Sequence, residues 1–257
     1  MLDHFANRST PAHRLDPAGK AVALLAVILA TVLVTRDRFP PLVPVAVALA
    51  AYHAVSRTPI RYALRRLALV SPLAVAVVVL FPFLEPGEAV WRWPVAGGEV
   101  VVTREGFLRA GHLLAKFVLC TWAALLLLAT TRFQDLLQGL ARLRVPRVFV
   151  TQLAILYRYL WVLMDEGMRM RMARAARDGG LGPWRLRLHS RAGVIGVLFL
   201  RSWDRAERIY RAMAARGFDG TLHALRHGRL RPADWIFSGS VLVASVALVL
   251  GERFLYG

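Results

Sequence analysis

Residues 107–131, FLRAGHLLAKFVLCTWAALLLLATT, run straight into 132–147, RFQDLLQGLARLRVPR. The first piece has no acid and is long enough as a helix to cross a ~30 Å hydrocarbon core, which takes about 20 residues. The second is basic and spaced for a helix. It opens a stretch, 132–234, with twenty Arg against eight Asp or Glu, so it carries +12 of the chain's +18. Charge of that density is costly in lipid and stays on one side of it. The pattern predicts an all-α, polytopic integral membrane protein with a cytoplasmic module of long helices.

Four more apolar runs, 21–35, 39–55, 67–84 and 235–250, bring the expected spans to five. Several are short for a full crossing, which predicts tilt or neighbours that shield their ends. With 57% of its 257 residues hydrophobic, the chain is not an ordinary soluble domain. The expected organisation is a four-span membrane region over 1–131, a cytoplasmic helical module over 132–234 and a last transmembrane helix over 235–257. The first run is not a secretory signal, because Pro11 and Pro17 precede it and no small-residue cleavage site follows. Cys120 is the one cysteine, which excludes an internal disulfide or a cysteine-rich metal site.

Arginine placement sets the orientation. The connection 56–66 carries Arg57, Arg61, Arg65 and Arg66 and no acid, whereas 85–105 carries four Glu against Arg92 and Arg104. Five crossings with a cytoplasmic N-terminus put the first of these and 132–234 inside, and the acidic loop outside. Only the short connection 36–38, at +1, lies on the disfavoured side.

Prolines punctuate the runs. Pro40, Pro41 and Pro44 open the second, where first-turn N–H groups need no partner. Pro72 and Pro82 lie within the third and predict a kink or a broken turn. Trp91-Arg92-Trp93-Pro94, then Gly97-Gly98, then Val100-Val101-Val102 predict a small hairpin on the membrane surface. Arg109, His112 and Lys116 sit near the start of the fourth run, where long side chains can snorkel or meet a membrane partner.

Within 132–234, a short helix over 133–143 is closed by Pro146. A long one follows over 150–176, with an apolar stripe at 153, 156, 157, 160, 161, 164, 168 and 172. Asp178-Gly179-Gly180 and Gly182-Pro183 break it. A second long helix over 191–215 has its stripe at 195, 198, 199, 206, 209, 210 and 213, and Gly217 suits a C-cap. The two amphipathic helices are expected to pack on each other and on the inner face of the bilayer.

Both end on a similar signature, Ala173-Arg174-Ala175 and Ala215-Arg216-Gly217, forty-two residues apart. Small residues allow close backbone approach, and the last carbonyls of a helix favour a cation. Arginine can bridge a carboxylate and a carbonyl at once. The plain alternative is that each arginine merely caps its helix. Two such ends on one chain predict docking tips for a pair of identical or similar partners.

Nothing else points to chemistry. His223 and His227 are spaced for a shared metal, but no further ligand completes the set. Asp165 and Glu166 are adjacent rather than cofacial. No GxxxxGK[ST] loop occurs, so ATP hydrolysis by this chain is not expected. The aromatic interleaving of single-strand binding is missing, so nucleic acid is not expected and anionic lipid is the nearer partner. A small lipid-headgroup transferase would need carboxylates or a histidine clustered at a span end. The chain offers none.

Several blocks resemble the transmembrane T component of energy-coupling-factor transporters: Pro11-Ala12-His13-Arg14-Leu15-Asp16-Pro17 with Lys20, then Leu128-Ala129-Thr130-Thr131. Later come Tyr157-Arg158-Tyr159-Leu160 with Asp165-Glu166, Arg169-Met170-Arg171-Met172-Ala173-Arg174, and Arg205-Ala206-Glu207-Arg208 leading to Met213-Ala214-Ala215-Arg216-Gly217-Phe218-Asp219-Gly220. The similarity spans nearly the whole chain, and the later blocks most resemble the cobalt/nickel (CbiQ-type) branch. The resemblance implies a coupling subunit, not an enzyme, in a bacterial cell membrane. Its partners would be two ABC-type ATPase subunits, which bind the ATP, and a membrane substrate-binding S component. No cofactor and no metal site would belong to this chain. Its ATPase-coupling residues would be Ala173, Arg174, Ala175, Ala215, Arg216 and Gly217, with Ala175 replacing the usual glycine. A T component for another micronutrient or vitamin is the nearest alternative.

Overall fold

A computed structural model describes residues 15–34, 39–84, 86–95, 98–178, 183–220 and 232–256. In chain order the elements are α1 (Pro17–Leu33), α2 (Leu42–Ser56), α3 (Ile60–Leu84), β1 (Ala89–Val95), β2 (Gly98–Thr103), α4 (Arg104–Thr130), α5 (Phe133–Arg142), α6 (Arg147–Asp178), α7 (Trp184–Ala214) and α8 (Pro232–Tyr256). They form two compact units: Met1–Gly139 with Gly228–Gly257, and Leu140–His227.

The first unit is a helical bundle. α1 starts where Asp16 caps it: the carboxylate accepts from the N–H groups of Ala18 (3.0 Å) and Gly19 (3.4 Å). Pro17 follows at a position that needs no N–H of its own. α4 packs against α1, α2 and α3, while α8 packs along α1. The core draws Leu24 and Val27 from α1, Leu42 and Leu49 from α2, and Leu119 and Leu126 from α4. Outward-facing apolar residues such as Leu29, Val47 and Leu69 stay exposed, as a lipid-facing surface requires.

The third run kinks where its proline predicts. The halves Ile60–Pro72 and Ala74–Leu84 of α3 are bent by 51°. Pro72 has no N–H to give, and its ring crowds the carbonyl one turn earlier. Ser71 Oγ donates to that carbonyl, Ala68 O, at 3.1 Å and so satisfies it. The hairpin forms as expected, with Trp91 opposite Val102 and Trp93 opposite Val100; its turn at 96–97 lies outside the described residues. Thr103 then caps α4 by accepting from Gly106 N–H at 3.3 Å.

Lys116 reaches the end of α1. Its Nζ donates to Val32 O (3.1 Å) and Val34 O (2.7 Å), where the carbonyls at the end of α1 lack helical partners. His112 is buried and meets Phe39 edge-on at 5.7 Å between ring centres.

By length and composition, Arg104–Thr130 and Arg147–Arg177 could each cross a membrane, and bent α3 could be a third span. Pro17–Leu33 and Leu42–Ser56 are shorter apolar helices. The second candidate is apolar only in its first half. Asp165, Glu166, Arg169, Arg171, Arg174 and Arg177 crowd the rest.

Candidate functional site

The second unit holds both signatures. α6 has 32 residues and α7 has 31, so each is roughly 45–50 Å long at 1.5 Å per residue. α7 begins seven residues before the expected 191, directly after Pro183. Trp184-Arg185-Leu186-Arg187-Leu188 alternates apolar and basic residues, a pattern of period two that hides a helix start.

The two helices meet around Gly167, where an added Cβ would lie 3.5 Å from Leu198 Cδ2. Beside this contact Glu166 Oε1 accepts from Arg201 at 2.6 Å, and Oε2 from Arg169 of its own helix at 3.0 Å. Glu166 thus ties α6 to α7, a role that no local spacing announces. Replacing it with Gln is expected to loosen the pair. Spin labels on α6 and α7 should then report a broader distance distribution, while helix content stays unchanged. On α7, Glu207 pairs with Arg211 one turn on, as the spacing predicts.

The apolar stripes are only partly covered. Between the helices runs an apolar groove of ≈ 340 Å³ lined by Ile155, Leu156, Tyr159, Phe199, Trp203 and Ile209 among others. Met164 and Met168 on α6 are about half exposed, and Met172 on α6 and Ile195, Phe199 and Tyr210 on α7 more than half. Exposed apolar faces of this length mark surfaces that meet other molecules.

The tips differ from the expectation of matching positions. Ala173, Arg174 and Ala175 all lie inside α6, which runs on to Asp178. Ala is the best helix former, so nothing at 175 stops the helix. Arg174 is half-buried, between exposed Ala173 and Ala175. At the other tip, Ala215, Arg216 and Gly217 form the closing turn after Ala214, and all three are exposed. Gly217 takes the left-handed region at φ 80. Its N–H reaches Ala214 O at 3.0 Å, and Phe218 N–H reaches Met213 O at 3.0 Å. These are the two bonds of a Schellman cap, with glycine where a Cβ would be strained. Arg174 therefore projects from a helix side, and Arg216 from a capped end.

His223 and His227 lie outside the described residues, as does the break at 179–182. Among the described residues no group of three His, Cys, Asp or Glu could hold a metal ion.

A family model described as the cobalt transport protein CbiQ matches residues 8–226. The chain belongs to that family. Both arginine tips fall within the CbiQ match. Among similar proteins is the energy-coupling factor transporter transmembrane protein EcfT of Thermanaerovibrio acidaminovorans, 31% identical over 98% of this chain and 96% of that one. EcfT of Bacillus selenitireducens is 32% identical over 100% and 98%. The cobalt transport protein CbiQ of Rhodobacter capsulatus is 32% identical over 86% and 84%. This chain is accordingly a membrane-embedded transport component of the T type, and not an enzyme.

Proposed function

We propose that this chain is the mechanical coupling subunit of an energy-coupling-factor importer for Co²⁺ or Ni²⁺. In this account two ABC-type ATPase subunits bind and hydrolyse the ATP, one at each arginine tip. A separate membrane S component binds the ion. No cofactor or metal site is assigned to this chain. The observation that carries the proposal is the pair of long helices joined through Glu166, one with Arg174 on the side of its last turns and the other with Arg216 on its capped end, each with an apolar face left open. Closure of an ATPase dimer would move the tips, and packed helices pass displacement on as units rather than deform continuously. The relatives' names support a transporter and, for the CbiQ relative, cobalt.

The membrane topology belongs to the same proposal: five spans, α1 to α4 and α8, with α5 to α7 and the N-terminus in the cytoplasm of a bacterial cell. A cysteine placed at Gly97 in a Cys120→Ala background should react with an impermeant thiol reagent added outside intact cells. One placed at Gly180 should react only once the cells are opened; the reverse pattern would overturn the orientation. For the coupling role, co-expression with candidate ATPase subunits should give a complex that survives purification through this chain. Failure of every pairing to hold together would count against it.

A further inference from the structure

α1 and α4 each hold the carbonyl end of the other with a lysine. Lys20, in the first turn of α1, is 1% exposed, and its Nζ donates to Thr130 O at 3.2 Å, at the last residue of α4. Lys116 of α4 returns the contact, its Nζ donating to Val32 O at 3.1 Å and Val34 O at 2.7 Å at the end of α1. Both acceptors lie where helical carbonyls run out of donors and the helix dipole favours a cation.

The two contacts have the same span. Lys20 and Val34 are fourteen residues apart, and so are Lys116 and Thr130. Fourteen residues make close to four full turns, about 21 Å. In each helix the lysine and the gripped end therefore share one face, and the antiparallel pair is pinned at both ends of a single seam. Leu24 and Val27 of α1 and Ala123 and Leu126 of α4, all buried, fall between the pins. Lipid tails are as apolar as leucine, so such packing alone gives helices in a bilayer little preference for one register. A buried polar contact is better suited to selecting a register than to adding stability, since a methionine would fill the same space without the cost of burying a charge. Sliding α1 along α4 by one residue would shift both ammonium groups about 1.5 Å from their acceptors at once.

We propose that Lys20 and Lys116 form a reciprocal lock that makes α1 and α4 one rigid body, so that displacement reaching Thr130, where the chain leaves for α5, carries both helices. That second step rests on the coupling role argued above; the lock itself does not. With the lock open, α4 would slip along α1 and absorb the displacement.

The lock is tested on the full chain in lipid nanodiscs, with spin labels in a Cys120→Ala background. One pair, at Leu25 and Leu128, reports the Lys20 end, and another, at Leu33 and Leu113, the Lys116 end; all four side chains are exposed. Both distance distributions should be narrow in the unaltered chain. Lys20→Met should broaden only the first and Lys116→Met only the second. The double variant should broaden both and add a population displaced by up to about 5 Å, one helical turn. Lys116→Arg, which can still reach the carbonyls, should keep the second pair narrow. Unmoved distances in the single variants overturn the lock, as does broadening of both pairs by either one; if the double variant does not fold, the single variants decide. In proteoliposomes with the ATPase and substrate-binding subunits, the double variant should hydrolyse ATP at close to the normal rate while Co²⁺ taken up per ATP falls about tenfold. An unchanged ratio beside broadened distances overturns the transmission step. If the unaltered complex does not import, the coupling role has failed, and the label distances still decide the lock.

Discussion

A chain carrying both Arg174→Ala and Arg216→Ala is expected to leave the membrane without its ATPase subunits. Each arginine, docked through charge-assisted bonds, would leave a carboxylate of its partner buried and unpaired once removed. Such a loss costs on the order of 2–5 kcal/mol of binding per site. Each single variant keeps one tip, so it should weaken the complex and cut transport strongly without abolishing assembly. Lysine should rescue poorly, since a point charge cannot reproduce the planar fork of a guanidinium. Arg216 should be the more sensitive position. It stands exposed on a turn shaped by Gly217 at φ 80, whereas Arg174 is half-buried on a continuous helix. Retention of ATPases by the double variant, shown by quantitative co-purification, would reduce both arginines to caps.

The same substitution at different glycines should change stability in opposite directions. Gly139→Ala places a Cβ 2.9 Å from the backbone nitrogen of Ala18, which no side-chain rotation relieves. Overpacking of this kind costs about 1–3 kcal/mol. Gly193 and Gly196, within α7, have nothing within 4 Å of an added Cβ. Gly193→Ala or Gly196→Ala should therefore gain about 0.5–1 kcal/mol from helix propensity. Thermal unfolding in detergent should lower the midpoint for the first variant and raise it for the other two. A lowered midpoint at 193 or 196 would mean that this face of α7 is closely covered.

Much of the architecture was legible because it is local. Apolar run length located the apolar helices of the first unit, Pro72 predicted the bend in α3, and Trp91 to Val102 predicted the hairpin. Phe133–Arg142 follows the expected short helix to within a residue. The start of α7 was hidden by two-residue alternation over 184–188. The tips were legible as motifs but not as geometry, since whether a helix stops depends on one residue: glycine at 217 ends it, alanine at 175 does not. Least visible were the long-range polar contacts. Lys20 to Thr130, Lys116 to Val34 and Glu166 to Arg201 join positions distant in sequence, and no periodicity encodes them. Lys20 did appear in a family-like block, but only the fold gives a physical reason for it.

In the proposed role, this chain converts ATP hydrolysis on its partners into movement of an ion by a third subunit. The most direct measurement is Co²⁺ uptake by proteoliposomes holding the ATPase and substrate-binding subunits, with and without this chain, at fixed ATP. ATP-dependent uptake is expected only when this chain is present, and is expected to be lost when the chain carries both arginine substitutions. Equal uptake without this chain, or full uptake with the doubly substituted one, would contradict it.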